Sequence, residues 1–143
     1  MKKKQTDLKE GSIKIRKLDM SKVDGYAISE FDMIKIALVE DKKYKRGLLY
    51  RGINARNIPK LFKTGRDNVN YSYRGIIFCC TEEEITNPYR DSAEDIFSYA
   101  CGAIAVFDSN HFKKSDFEWG YVFKDPKNKL EALVAVYELN YPL

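Results

Sequence analysis

His111 is the single histidine of the chain. It stands in Asp108-Ser109-Asn110-His111-Phe112, with no serine or cysteine at a spacing that would make it a general base, and such a residue is ordinarily part of a loop. Glu82-Glu83-Glu84 has the charge to hold a cation. A run of acids, however, is usually a solvated face or the first turn of a helix. The adjacent Cys79 and Cys80 lie in an apolar run and read first as core filler. One histidine and no zinc spacing leave no metal site to assign, and neither a P-loop nor G-x-G-x-x-G occurs.

What stands out is an ordered series. An apolar run ends in Leu48-Leu49-Tyr50-Arg51-Gly52. A second ends in Ile76-Ile77-Phe78-Cys79-Cys80-Thr81, followed by Asp91-Ser92-Ala93-Glu94-Asp95-Ile96-Phe97-Ser98-Tyr99-Ala100. Gly102-Ala103-Ile104-Ala105-Val106-Phe107-Asp108 and Leu130-Glu131-Ala132-Leu133-Val134-Ala135-Val136 complete it. This order resembles the ADP-ribosyltransferase superfamily. Its Arg–Ser–Glu branch carries an aromatic-Arg-Gly on the first core strand, Ser-Thr on the second, and a Glu just before a late apolar strand. The resemblance runs from about Leu48 to Leu139 and leaves the N-terminal third unmatched. It implies a minimal catalytic domain, like those of toxin-like or phage-like members, that transfers ADP-ribose from NAD to a protein, nucleic acid or small-molecule acceptor.

The resemblance also implies roles. Cleavage at the nicotinamide bond makes an oxocarbenium-like ribose, as in glycoside hydrolysis. Glu131 would be the catalytic carboxylate that stabilises it. Arg51 would grip the dinucleotide with its planar, permanently charged fork. Gly52, lacking a side chain, would let its backbone approach the nicotinamide amide. Thr81, catalytic, and Cys80, cofactor-binding, occupy the Ser-Thr position. Tyr73 is counted with the cofactor-binding residues, but the sequence does not choose which of Tyr71, Tyr73 or Tyr89 stacks on nicotinamide, and Arg74 competes for the role of Arg51. Two departures stand out. Cys80 replaces the first Ser with a weaker donor, and Lys129 stands where Arg- or Asn-modifying members carry Glu or Gln. The structural alternatives are a strand-end charge for Arg51, a helix N-cap for Thr81 and a solvated strand start for Glu131. The rival functions are an NAD-dependent RNA 2′-phosphotransferase and a non-catalytic nucleotide-, RNA- or protein-binding module.

The elements that must position these residues follow from periodicity. Residues 1–10 read as a flexible basic tail and 11–143 as one domain. Ser12–Leu18 alternates, with Ile13 and Ile15 on the half-buried side of a strand. Asp24 to about Val39 predicts a helix with Ala27, Phe31, Ile34 and Leu38 on one face. A strand at Leu48–Arg51 precedes a helix opened by Asn57 and Pro59 and closed by Gly65. Residues 66–74 predict an exposed loop, Gly75–Cys80 a buried strand, and Asp91 or Ser92 the start of a third helix. Ala103–Phe107, Phe117–Phe123 and Leu130–Leu139 predict strands, with a turn at Asp125-Pro126-Lys127-Asn128. Helices come early and strands late. The expected class is therefore α+β, and the resemblance adds a split, mostly antiparallel sheet core with flanking helices. Tyr-Arg-Gly-Ile recurs at Tyr50–Ile53 and Tyr73–Ile76, but the flanks do not match.

Composition bounds the rest. The chain has 143 residues, 44% hydrophobic and 32% charged, which suffices for a packed core and argues against wholesale disorder. A net charge of +4 is too small and too interspersed to imply a nucleic-acid partner by itself. No apolar run approaches the ~18 residues of a membrane span. Met1-Lys2-Lys3-Lys4 is not followed by an apolar segment, so export by a signal peptide is not expected. The odd set Cys79, Cys80 and Cys101 fits reduced thiols in a cytoplasmic protein.

Overall fold

The apolar run after Gly102 forms the centre of the molecule. The computed structural model describes residues 13–24, 27–67, 75–87 and 102–141. Among them β1 is Ile15–Asp19, α1 Glu30–Glu40, β2 Leu48–Asn54, α2 Ile58–Thr64, β3 Ile76–Phe78 and β4 Cys80–Thr81. These are followed by α3 Glu82–Thr86, β5 Gly102–Asp108, β6 Phe112–Lys114, β7 Gly120–Phe123 and β8 Leu133–Asn140. The main sheet has the order β1-β8-β5-β2-β4, and a smaller one the order β3-β7-β6. All pairings are antiparallel except β1 with β8. The chain is thus α+β, with mostly antiparallel sheets and few helices.

Ala103 to Phe107 are each at most 1% exposed, because both faces of β5 are covered. Alternate residues feed two cores. Leu48, Tyr50, Ile104, Val106, Ala135 and Tyr137 meet Phe31, Ile34 and Leu38 of α1 on one face. Leu49, Ile53, Ala105, Phe107, Leu133 and Val136 meet Ile58 and Leu61 of α2 on the other, together with Ile77, Phe112 and Phe123 of the small sheet. The order of layers is α1, main sheet, then α2 beside the small sheet.

Several boundaries differ from the sequence expectation, each for a local reason. The helix expected from Asp24 begins at Glu30. Asp24 spends its carboxylate on the amides of Ala27 and Ile28 (2.9 and 3.2 Å), while Ser29 and Asp32 form a capping box. Ala27, placed on the buried face, is therefore exposed ahead of the helix. Ile15 is 43% exposed although its alternation partner Ile13 is buried: β1 is an edge strand that, among the described residues, pairs only with β8. The run Gly75–Cys80 is not one strand but two, β3 in the small sheet and β4 in the main one. Cys79 lies between them and donates its N–H to Trp119 O (2.8 Å).

The expected strand 117–123 begins only at Gly120, because residues 115–120 form a turn closed by Ser115 N to Gly120 O (2.9 Å). β6, short and ending in exposed Lys113 and Lys114, escaped the periodicity. The strand expected from Leu130 begins at Leu133. Lys129–Ala132 is a 3-10 turn, and the β5 register shifts between Val106 and Phe107 opposite the strand's start. The helix expected at Asp91 or Ser92 lies outside the described residues. The α2 expectation holds, including Pro59 in the first turn and Gly65 in the left-handed region (φ 79°).

Gly65 also has no room for a side chain. A Cβ there would lie 2.2 Å from Lys129 Cβ. Gly75 has a similar φ of +72° with nothing within 4 Å of its Cβ position. Gly75→Ala should therefore cost about 1 kcal/mol for backbone strain alone. Gly65→Ala adds the clash and should cost at least ~2 kcal/mol. Urea unfolding of the two variants measures the difference, and equal losses would contradict the Gly65–Lys129 contact.

Candidate functional site

Arg51 lies on β2, between β4 and β5, and faces the core shared with α2 and the small sheet. Its Nε and Nη2 donate to the two oxygens of Asp67 (2.8 and 3.2 Å), a bidentate pair. Nη1 donates to Phe78 O of β3 (2.9 Å). One side chain thus ties the main sheet to the small sheet and to the segment after α2. Burial works against the Arg51 cation, but the hydrogen bond and charge of Asp67 outweigh it and hold its pKa above the ordinary value.

Asp67 is aimed by the end of α2. Gly65 turns the chain in the left-handed region. Thr64 Oγ1 then donates to Arg66 O (2.9 Å) and accepts from Arg66 N (3.2 Å), fixing the next two residues inward. Arg66 and Asp67 are 7% and 6% exposed, which corrects the expected exposed loop at its first two residues; residues 68–74 lie outside the described residues. Arg66 Nη2 donates to Ile76 O (3.2 Å), two residues before the carbonyl that receives Arg51. Its Nε has no hydrogen-bond partner among the described residues. Burial, then the neighbouring Arg51, pushes its pKa down, with Asp67 opposing. Sequence reasoning missed both residues. The only signal was a charged pair directly after a helix-stopping glycine, and burial cannot be read from that.

The structure separates the two residues of the Ser-Thr position. Cys80 pairs with Tyr50, so it faces α1, on the opposite side of the sheet from Arg51. It is fully buried, and its thiol reaches Tyr50 O (3.5 Å). Cys79 instead lies on the Arg51 side, and burial pushes its thiol up to about 12. Thr81 pairs with Leu49 and so shares the Arg51 face. Its hydroxyl is engaged in a capping box with Glu84: it accepts from Glu84 N (3.2 Å) and lies 3.1 Å from Glu84 Oε1. Gly52 sits in the ladder opposite Ile104.

Glu131 is exposed, in the 3-10 turn ahead of β8. The register running from Arg51 through Ala105 reaches β8 at Val136, five residues later (136 − 131). Glu138, opposite Ala103, is on the Arg51 face of β8, half-buried, with Lys17 at 3.8 Å. Tyr73, Tyr71, Tyr89 and Arg74 lie outside the described residues. A cavity of about 620 Å3 beside α1 and the start of β2 is lined by Lys35, Tyr44, Arg46, Tyr50, Thr81 and Glu82 among others, and Arg51 is not part of its lining. Among the described residues no metal-binding group of His, Cys, Asp or Glu forms, and no helix is long and apolar enough to cross a membrane.

Chemically, the Arg51 site is a low-dielectric junction holding two guanidiniums and one carboxylate. Removing Asp67 leaves the Arg51 guanidinium without its counter-charge, and breaking such a pair typically costs ~3–5 kcal/mol. Asp67→Asn should lower stability on that scale in urea unfolding. Arg51→Met in the Asp67→Asn background should recover part of the loss, and additive losses would contradict the pairing. The thiols supply a second check. With Cys101→Ser removing the third thiol, Cys79 and Cys80 should resist an aromatic disulfide reagent at pH 8 until urea unfolds the chain, since the thiolate is the nucleophile. Rapid modification of the native protein would contradict their burial.

Comparison with protein-family models, with curated proteins and with solved structures gives no match.

Proposed function

We propose that this chain is an NAD-dependent ADP-ribosyltransferase of the Arg–Ser–Glu kind, acting in the cytoplasm on a protein, nucleic-acid or small-molecule acceptor. The observation that carries the reading is Arg51: a half-buried guanidinium at the meeting of two antiparallel sheets, on the same face as Thr81 of the neighbouring strand. Two of its N–H groups, one on Nη1 and one on Nη2, have no acceptor among the described residues. They can serve a phosphate or ribose oxygen without disturbing Asp67.

In the reaction the C–N bond between ribose C1′ and nicotinamide breaks, its electron pair leaving with nicotinamide. An acceptor oxygen or nitrogen bonds C1′ and releases its proton to solvent. Positive charge develops on the ribose, where a carboxylate stabilises it. By resemblance this is Glu131, which sits in a turn where a ligand can reach it; Glu138 is the carboxylate that β8 turns to the Arg51 face. Cys80 has no contact role in this reading, because it faces the other core.

A second reading, a non-catalytic nucleotide-binding module, is favoured by the exposed position of Glu131 and by the engagement of the Thr81 hydroxyl in a helix cap. Nicotinamide release from labelled NAD, in the presence of a cell lysate as acceptor source, decides between them. The parent protein should release nicotinamide, and Glu131→Gln should slow release by about 10²–10³-fold with NAD binding intact. Loss in Glu138→Gln instead assigns the carboxylate to β8, and a parent that binds NAD without release establishes the binding module.

A further inference from the structure

The junction holds more positive charge than its described partners neutralise. Arg66 is buried and Arg51 half-buried, and Asp67 is spent on Arg51 through both oxygens. Arg66 is 7% exposed, its Nε has no acceptor among the described residues, and its Nη2 donates to the Ile76 carbonyl. A buried guanidinium with an unmet donor is costly, and charges in such places are ordinarily paired. The two arginines are also spaced. They anchor to carbonyls two residues apart on the edge of β3 that faces away from β7, and that step in a strand spans ~6.6 Å.

We propose that Arg66 and Arg51 together cradle a pyrophosphate. Arg66 takes one phosphoryl group through Nε, and Arg51 the next through its unclaimed Nη hydrogens. Asp67 acts as a positioning residue: it holds Arg51 side-on and leaves the far edge of the guanidinium for ligand. This rests on reading the Arg51 face as a dinucleotide site, and it names Arg66 as a phosphate-binding residue of that site.

The test compares parent, Arg66→Gln and Arg66→Lys proteins by thermal shift with inorganic pyrophosphate, ADP-ribose, NAD and nicotinamide riboside, which has no phosphate. Pyrophosphate and ADP-ribose should raise the parent Tm by mass action, and nicotinamide riboside at the same concentration should not. Arg66→Gln should keep or raise the unliganded Tm, because an uncompensated buried charge is gone. Its apparent Kd for pyrophosphate and ADP-ribose should rise about tenfold or more, the worth of a charge-assisted hydrogen bond. If Arg66→Gln fails to fold, Arg66→Lys is decisive. It keeps the cation without the planar fork and should fold with weakened binding.

A parent unresponsive to both pyrophosphate and ADP-ribose overturns the cradle. So does undiminished binding in a folded Arg66→Gln or, failing that, in Arg66→Lys, and Arg66 is then only a cap on the edge of β3. Nicotinamide release separates this from the transfer reading. Arg66-dependent pyrophosphate binding without release leaves the cradle standing and removes catalysis. Release by Arg66→Gln at the parental rate and KM removes the cradle and leaves catalysis standing.

Discussion

The two sheets meet at a guanidinium. Where β3 leaves the small sheet and β4 joins the main one, backbone pairing between the sheets stops, and carbonyls on the free edge of β3 would go unmet in an interior that tolerates few orphans. Arg51 from the main sheet and Arg66 from the end of α2 supply the missing donors. Asp67 supplies the counter-charge to Arg51 and fixes its fork. Such an arrangement adds little net stability over a well-packed apolar one. Its contribution is to geometry, since its directional bonds tie α2 and β3 to β2.

The rest of the fold is consistent with that constraint. β2 serves two cores through the alternation of its side chains, so Tyr50 and Arg51 face different layers although they are neighbours. The aliphatic filling on the Arg51 side, from Leu49, Ile53, Leu61, Phe107 and Val136, surrounds the polar junction and keeps the effective dielectric low. Cys79, whose thiol is held neutral by burial, adds no charge to it.

How much of this was legible in the sequence depended on how local each signal was. The strand at Ala103–Phe107 and the helix between Asn57 and Gly65 showed plainly: each has a periodic or continuous apolar pattern bounded by its own cap or stop. The start of α1 was misplaced because Asp24 and Ser29 are both good caps five residues apart (29 − 24), and only the second leads into a helix. The division of Gly75–Cys80 between two sheets was invisible. It depends on pairing partners, Trp119 and Tyr50, far away in the chain. Arg51 and Thr81, both singled out from the sequence, share a face of adjacent strands. Cys80, read with Thr81 as one Ser-Thr position, faces the other core because a one-residue step inverts the side of a strand. Asp67 and Arg66 were missed because two charged residues after a glycine look like solvated loop unless the tertiary partner is known.

The placement of β8 has a consequence for how the molecule is made. The latest strand described is inserted between the earliest, β1, and the central β5, and Ile15 registers with Val136, 121 positions later (136 − 15). A ribosome delivers these segments in order, so β1 has no partner and one edge of β5 lies bare until β8 emerges. Gly65 likewise meets Lys129, just ahead of β8. The nascent chain cannot complete its main sheet by growing outward from a finished N-terminal unit. It must hold an open, strongly apolar edge and close it late, a slow, long-range step during which edge-to-edge aggregation competes with folding.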